Sequence, residues 1–216
     1  MIIFDRVSKK YDGEEKPVFT DLDLRIEDGE FVALMGRSGS GKTTLIRLLT
    51  KETEPSSGSI TVDRYVLSDI KKSAIPSYRR EIGVIFQDFR LFNEYTVYGN
   101  LELTLSLTGG NTGNAEEKII NVLTMMGIDH LHKRYPKELS GGEQQKVCMA
   151  RAIINNPKVV LADEPTGNLD PGSSAEIAEL LSIINSQGVT VVMATHDKDA
   201  LRSFEDRIRI INLDKI

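Results

Sequence analysis

Cysteine is nearly absent: one residue, Cys148, in 216 excludes an intramolecular disulfide and a cysteine-rich zinc site. The three histidines, His130, His132 and His196, are too few and too scattered to suggest a zinc centre. Positive charge is in deficit, since 27 Lys and Arg against 32 Asp and Glu leave a net charge of −5. Neutralising a phosphate backbone needs a surplus of basic residues, so no nucleic acid partner is expected. Long apolar runs are missing as well. Val189 to Ala194, with Thr190 inside it, falls far short of a membrane span. The first five residues, Met-Ile-Ile-Phe-Asp, lack the basic and long apolar regions of a signal peptide. The expectation is a cytoplasmic protein, and any work at a membrane needs a span from another chain.

What is present is an ordinary globular composition, with 40% hydrophobic and 27% charged residues in a length that fits one domain. Ile2, Phe4 and Val7 suggest a first strand, and Leu22, Leu24 and Ile26 alternate with polar residues in a second. Alternation implies one buried and one wet face, which suits an antiparallel sheet. Phe31–Met35, Val159–Ala162 and Val189–Ala194 are instead continuously apolar, as in strands of a parallel sheet covered by helices. Helical patterns around Thr43–Leu49, Glu143–Ile154 and Ser174–Ile184 lie between them, which argues for an α/β core. From about Tyr95 to Ile154 the pattern is mainly helical, interrupted by a loop at Thr108–Asn114. One domain over 1–216 is expected, with a core of about 1–87 and 156–216 and a helical insertion of about 88–155. Gln87–Asn93 and Tyr135–Leu139 would flank that insertion as hinges.

Gly36-Arg37-Ser38-Gly39-Ser40-Gly41-Lys42-Thr43 matches G-x-x-x-x-G-K-[ST], directly after one strand and before a helix. Its glycines let successive N–H groups face phosphates, and the helix N-terminus adds partial positive charge. Lys42 supplies a full charge to the β/γ oxygens, and the Thr43 hydroxyl can ligate Mg²⁺. A glycine turn with an incidental lysine is the bland alternative. A chance match in such a chain is about one in a hundred. Val159-Val-Leu-Ala-Asp163-Glu164 is an apolar strand ending in two carboxylates, where ligands sit in open α/β sheets. Asp163 can hold Mg²⁺ through its water shell, and Glu164 can polarise an attacking water.

Leu139-Ser140-Gly141-Gly142-Glu143-Gln144 reads as a capping box whose glycines let a phosphate approach the helix start. Alone it is only a helix cap. Together with the other motifs, and over essentially the whole chain, it resembles the signature of ATP-binding cassette ATPases. The resemblance implies a P-loop NTPase core with an antiparallel β subdomain and a helical signature subdomain, using ATP and Mg²⁺. It makes Tyr11 the aromatic that stacks on adenine, although alone Tyr11 could equally be a surface aromatic. Thr44 joins the P-loop contacts, Gln87 becomes the glutamine that senses Mg²⁺ and γ-phosphate, and Asp170 closes the Gly167–Asp170 loop. His196 becomes the switch histidine. Lys42, Gln87, Glu164 and His196 are the expected catalytic set; Thr43, Gln87 and Asp163 are the expected metal set.

The signature helix start cannot easily reach the P-loop of its own chain from a helical insertion. A head-to-tail homodimer with ATP at the interface is therefore expected, Lys42 facing Ser140 of the partner subunit. Within the family, Ile75–Asn100, above all Gln87-Asp-Phe-Arg-Leu91, resembles the bacterial cell-division branch. That branch implies an integral membrane partner, placement at the cytoplasmic face of the membrane, and control of peptidoglycan hydrolysis. Leu161–Asp170 is shared with lipoprotein-release and antimicrobial-peptide exporters, which keeps export as the alternative. Arg64 and Asp214 depart from the family pattern, each standing where a glycine is common. Cys148 beside Val147 and Met149 reads as packing.

Overall fold

The computed structural model describes residues 1–108, 114–197, 201 and 207–215. Two sheets carry the chain. The first is antiparallel, in the order β2 (Phe19–Ile26), β1 (Ile2–Lys9), β4 (Ser57–Val62), β5 (Tyr65–Val66). The alternation of Leu22, Leu24 and Ile26 becomes a buried row in β2, with Asp21, Asp23 and Arg25 exposed.

The second sheet is parallel, in the order β6 (Ile82–Ile85), β7 (Val159–Asp163), β8 (Thr190–Ala194), β3 (Phe31–Met35), β9 (Arg209–Asn212). Its continuous apolar strands serve two cores residue by residue. Phe31, Ala33 and Met35 of β3 enter one apolar cluster, with Val160 and Ala162 of β7 and Val191 and Met193 of β8. Val32 and Leu34 enter the other, with Val159, Leu161, Val192 and Ala194. That second cluster joins α1 (Lys42–Leu49) to the antiparallel sheet, whereas the first takes α3 (Val97–Thr108), α4 (Ala115–Met125), α5 (Gly141–Ile153) and α6 (Pro171–Ser186).

The helices expected between Tyr95 and Ile154 are α3, α4 and α5; most of the predicted loop at 108–114 lies outside the described residues. Gly83 is required where α5 meets β6, because a Cβ there would come within 2.5 Å of the Ala152 carbonyl oxygen. Apart from short 3₁₀ turns, four elements were not apparent in the sequence: β4, the two-residue β5, α2 (Ile75–Arg80) and β9. At Arg64 the strain is carried next door: Asp63 takes the positive φ of the β4–β5 turn, at 51°. Cys148 is fully buried, and that burial pushes its thiol pKa up. Among the described residues no helix is long and apolar enough to cross a membrane.

Candidate active site

β3 delivers the chain to Gly36, and α1 begins at Lys42 after the loop between them. Gly41 turns into the helix at φ 97°, and a Cβ there would strike Phe19 and Val18 at 2.5–2.7 Å. Only glycine fits, so the first N–H groups of α1 stay open, and no side chain caps them. Lys42 is buried along its stem and donates to the Gly36 carbonyl at 2.8 Å and the Arg37 carbonyl at 3.3 Å.

Strand β7 brings the two carboxylates to the same place. Thr43 Oγ1 donates to Asp163 Oδ1 at 3.2 Å. Burial raises the Asp163 pKa above its ordinary value, and the Thr43 hydrogen bond only partly opposes it. Glu164 adopts a left-handed φ of 49°, a strained conformation for a non-glycine residue. Its N–H is tied to the Ala194 carbonyl of β8 at 2.9 Å. That turn aims the carboxylate inward: Oε1 lies 3.6 Å from Lys42 Nζ and Oε2 lies 2.6 Å from His196 Nδ1.

Lys42, Thr43, Thr44, Gln87, Glu164 and His196 line one cavity of about 520 Å³. Gln87 enters from the loop after β6, and Asn168 Nδ2 donates to its carbonyl at 3.4 Å. Tyr11 donates to Thr44 Oγ1 at 3.3 Å, so the expected adenine-stacking residue stands beside the start of α1. Ser38 and Gly39 also line the cavity, whereas the Arg37 side chain is exposed outside it.

The signature residues stand elsewhere. Ser140 caps α5, its hydroxyl accepting from the Glu143 N–H, while Glu143 accepts from the Ser140 N–H at 2.7 Å and hydroxyl at 2.8 Å. Those bonds hold the Glu143 carboxyl below its ordinary pKa. A Cβ on Gly141 would meet Leu169, and one on Gly142 would meet Ser173, so this turn packs at the start of α6. Asp170 caps α6, accepting from the Gly172 and Ser173 N–H groups at 3.0 Å each. None of Ser140, Gly141, Gly142, Glu143 or Asp170 lines the cavity.

Thr43 is hydrogen-bonded to the Asp163 carboxylate and shares its cavity with Gln87, and oxygen donors of these kinds suit a hard divalent cation. Among the described residues no three His, Cys, Asp or Glu side chains form a metal cage. A cation held here would complete its shell with phosphate oxygens and water, the usual habit of Mg²⁺. Two contacts escaped the sequence reading. Arg151 of α5 donates to the Phe89 carbonyl at 2.8 Å and to the Arg90 carbonyl, which ties α5 to the loop that carries Gln87. Asp214 accepts from the Arg37 N–H. Neither follows from a local pattern, because each joins segments far apart in the chain.

The sequence profile of the ABC transporter family matches residues 19–167. The cell division ATP-binding protein FtsE of Mycobacterium tuberculosis is 43% identical over 216 residues, covering 100% of this chain and 94% of that protein. The methionine import ATP-binding protein MetN of Leifsonia xyli is 37% identical, covering 100% of this chain but 64% of that protein. Among solved structures, the dimeric ATP-binding cassette MJ0796 bound to ADP and Pi superposes with a TM-score of 0.86 at 35% identity, covering 98% of this chain and 94% of that one.

Proposed function

Because the chain belongs to the ABC transporter family, whose cassettes are ATPases, we propose that it is the ATP-hydrolysing subunit of an FtsE–FtsX-like membrane complex in bacterial cell division. ATP turnover would then regulate peptidoglycan hydrolysis through an FtsX-like integral membrane subunit. The observation that carries the enzymatic part is the convergence of Lys42, Thr43, Gln87, Glu164 and His196 on one cavity.

Lys42 and the open N–H groups of α1 bind the triphosphate. Glu164 is the general base that orients and deprotonates the attacking water, and His196 holds its second oxygen. Thr43, Asp163 and Gln87 would hold a divalent cation, which would supply charge neutralisation to the triphosphate. Tyr11 stacks on the base. The signature turn and Asp170 belong to a second site: Ser140, Gly141, Gly142 and Glu143 would complete the phosphate shell of a partner copy in a head-to-tail dimer. The MJ0796 cassette, dimeric and bound to ADP and Pi, supports a dimer.

The cell-division assignment rests on the FtsE relative, matched over 94% of its length. The import reading is weaker, since the MetN relative is 37% identical over this chain against 43% for the FtsE relative. The export alternative rests on Leu161–Asp170 alone. Docking of the membrane subunit fits a second cavity, of about 580 Å³, lined in part by Arg80, Val84, Phe86, Arg90, Phe92 and Leu107. Capture from crosslinked membranes of the source cell, followed by partner identification, tests the role. An FtsX-like subunit is expected; a large permease with a cargo site would reject the division reading.

A further inference from the structure

Strands β3 and β9 run parallel, with Met35 opposite Asn212. Two residues further on, that register sets Asp214 beside Arg37, the second residue of the phosphate loop. Both Asp214 carboxylate oxygens lie 3.2 Å from the Arg37 N–H, and Oδ1 lies 3.7 Å from the Arg37 guanidinium. Leu213 is buried in the core beneath, and the Asp214 N–H is tied to Asn212 Oδ1 at 2.9 Å, so the carboxylate is held on a fixed stem.

The Arg37 N–H and the Gly36 carbonyl belong to one planar trans peptide and point in opposite directions. The N–H side donates to Asp214, and the carbonyl side accepts from Lys42 Nζ at 2.8 Å. A charge-assisted acceptor on one side of a peptide polarises it and strengthens the acceptor on the other. Gly36 leaves the space this needs, because a Cβ there would come within 2.4 Å of Ser40 Oγ and 3.4 Å of Asp214 Oδ1.

We propose that Asp214 is a positioning residue for ATP binding, acting through the Gly36–Arg37 peptide to orient Lys42 toward the phosphates. The inference rests on the ATP-site reading above. It gives a task to a position where the family commonly has glycine, which can supply no such acceptor.

The test compares Asp214→Ala and Asp214→Asn in the full chain, measuring kcat and KM for ATP with Mg²⁺ and the melting temperature without nucleotide. Asp214→Ala should raise KM about fivefold, the effect of a hydrogen bond of about 1 kcal/mol. Its kcat should stay within about twofold, and its melting temperature within about 2 °C, because the side chain is near the surface. Asparagine keeps an acceptor oxygen, so Asp214→Asn should recover at least half of the loss. An unchanged KM in Asp214→Ala, no recovery in Asp214→Asn, or a KM change that tracks lost thermal stability would overturn the assignment. Lys42→Ala serves as the control. If it fails to weaken ATP binding, the site reading fails; if it succeeds while Asp214→Ala is silent, only the positioning role fails.

Discussion

Lys42 Nζ and Glu164 Oε1 lie 3.6 Å apart, so the two opposite charges of the site face each other across the floor of one cavity. Both side chains are largely buried, with exposures of 8% and 17%, which keeps solvent screening between them low. Lys42→Ala removes the closest fixed positive charge and leaves Glu164 with a neighbour missing. The expected result is loss of ATP hydrolysis by at least about 100-fold, the scale of a lost transition-state charge contact. Nucleotide binding should weaken strongly as well. Steady-state ATPase at the wild-type rate in a folded Lys42→Ala protein would reject the site.

Glu164→Gln separates binding from chemistry. The amide keeps the shape of the carboxylate and leaves Lys42 free for phosphate, but it cannot take a proton from water. ATP binding should persist while turnover stalls. Ser140 and Asp170 sit at the starts of α5 and α6, away from their own cavity, so a trapped ATP should recruit a second copy. Light scattering should then report a doubling of the 24.0 kDa monomer mass when ATP is added. No ATP-dependent rise in mass at high protein concentration, repeated with the membrane partner present, would count against the sandwich.

The buried carboxylate of Asp163 makes a prediction about pH. Desolvation raises its pKa above the ordinary value of 3.8, with Glu164 adding repulsion. In that interval the folded chain binds more protons than the unfolded one, so stability falls as pH rises through it, and the loss persists at neutrality. Asp163→Asn removes the buried charge and keeps an acceptor for Thr43. The nucleotide-free variant should melt about 2 °C higher at pH 7, and the gain should shrink as pH approaches 4. Its Mg²⁺-dependent ATPase should be lost, a trade of function against stability. Calorimetry at the two pH values checks the sign, and a variant less stable than wild type at pH 7 would refute it.

The legible parts of this protein are those whose cause is local. Leu22, Leu24 and Ile26 announce β2 because a one-sided strand must alternate. The runs in β3, β7 and β8 announce strands buried on both faces for the converse reason. Lys42 and Thr43 were visible because a phosphate loop needs its glycines and lysine within eight residues. The hidden parts depend on distance along the chain. Helix α2 carries Pro76 and two arginines in six residues, so it shows no apolar period. Strand β5 is two residues long, too short for any pattern. The contact between Arg37 and Asp214 joins positions 177 residues apart, and only the placement of β9 beside β3 creates it. Sequence marked Asp214 as an oddity; the register gives it a neighbour.

The segment after Gln87 is rich in apolar and aromatic side chains. Phe89, Leu91, Phe92 and Tyr95 lie in the loop, Val97 and Tyr98 open α3, and the structure divides these apolar side chains between core and surface. Val97 is in the core, and Leu91 and Tyr98 pack against it. Phe92 and Tyr95 remain 44% and 45% exposed, edge to face with ring centroids 6.1 Å apart. Their backbone is fixed independently of their rings. The buried Asn100 side chain accepts from the Phe92 N–H at 2.9 Å and donates to the carbonyls of Phe92 and Tyr95 at 3.1 and 3.2 Å. Serine at both positions should therefore keep the loop's course while removing its apolar surface. Phe92 also borders the cavity proposed above for the membrane subunit, and Tyr95 lies edge to face with it, so the pair is an exposed apolar patch next to that cavity. Phe92→Ser with Tyr95→Ser should leave ATP affinity within about twofold of wild type, as expected for surface changes away from the site. Recovery of the chain with partner-containing membranes in co-sedimentation should fall at least tenfold, the effect of losing about 1.4 kcal/mol or more of binding. A folded double variant that still sediments with those membranes as wild type does would move the coupling surface elsewhere.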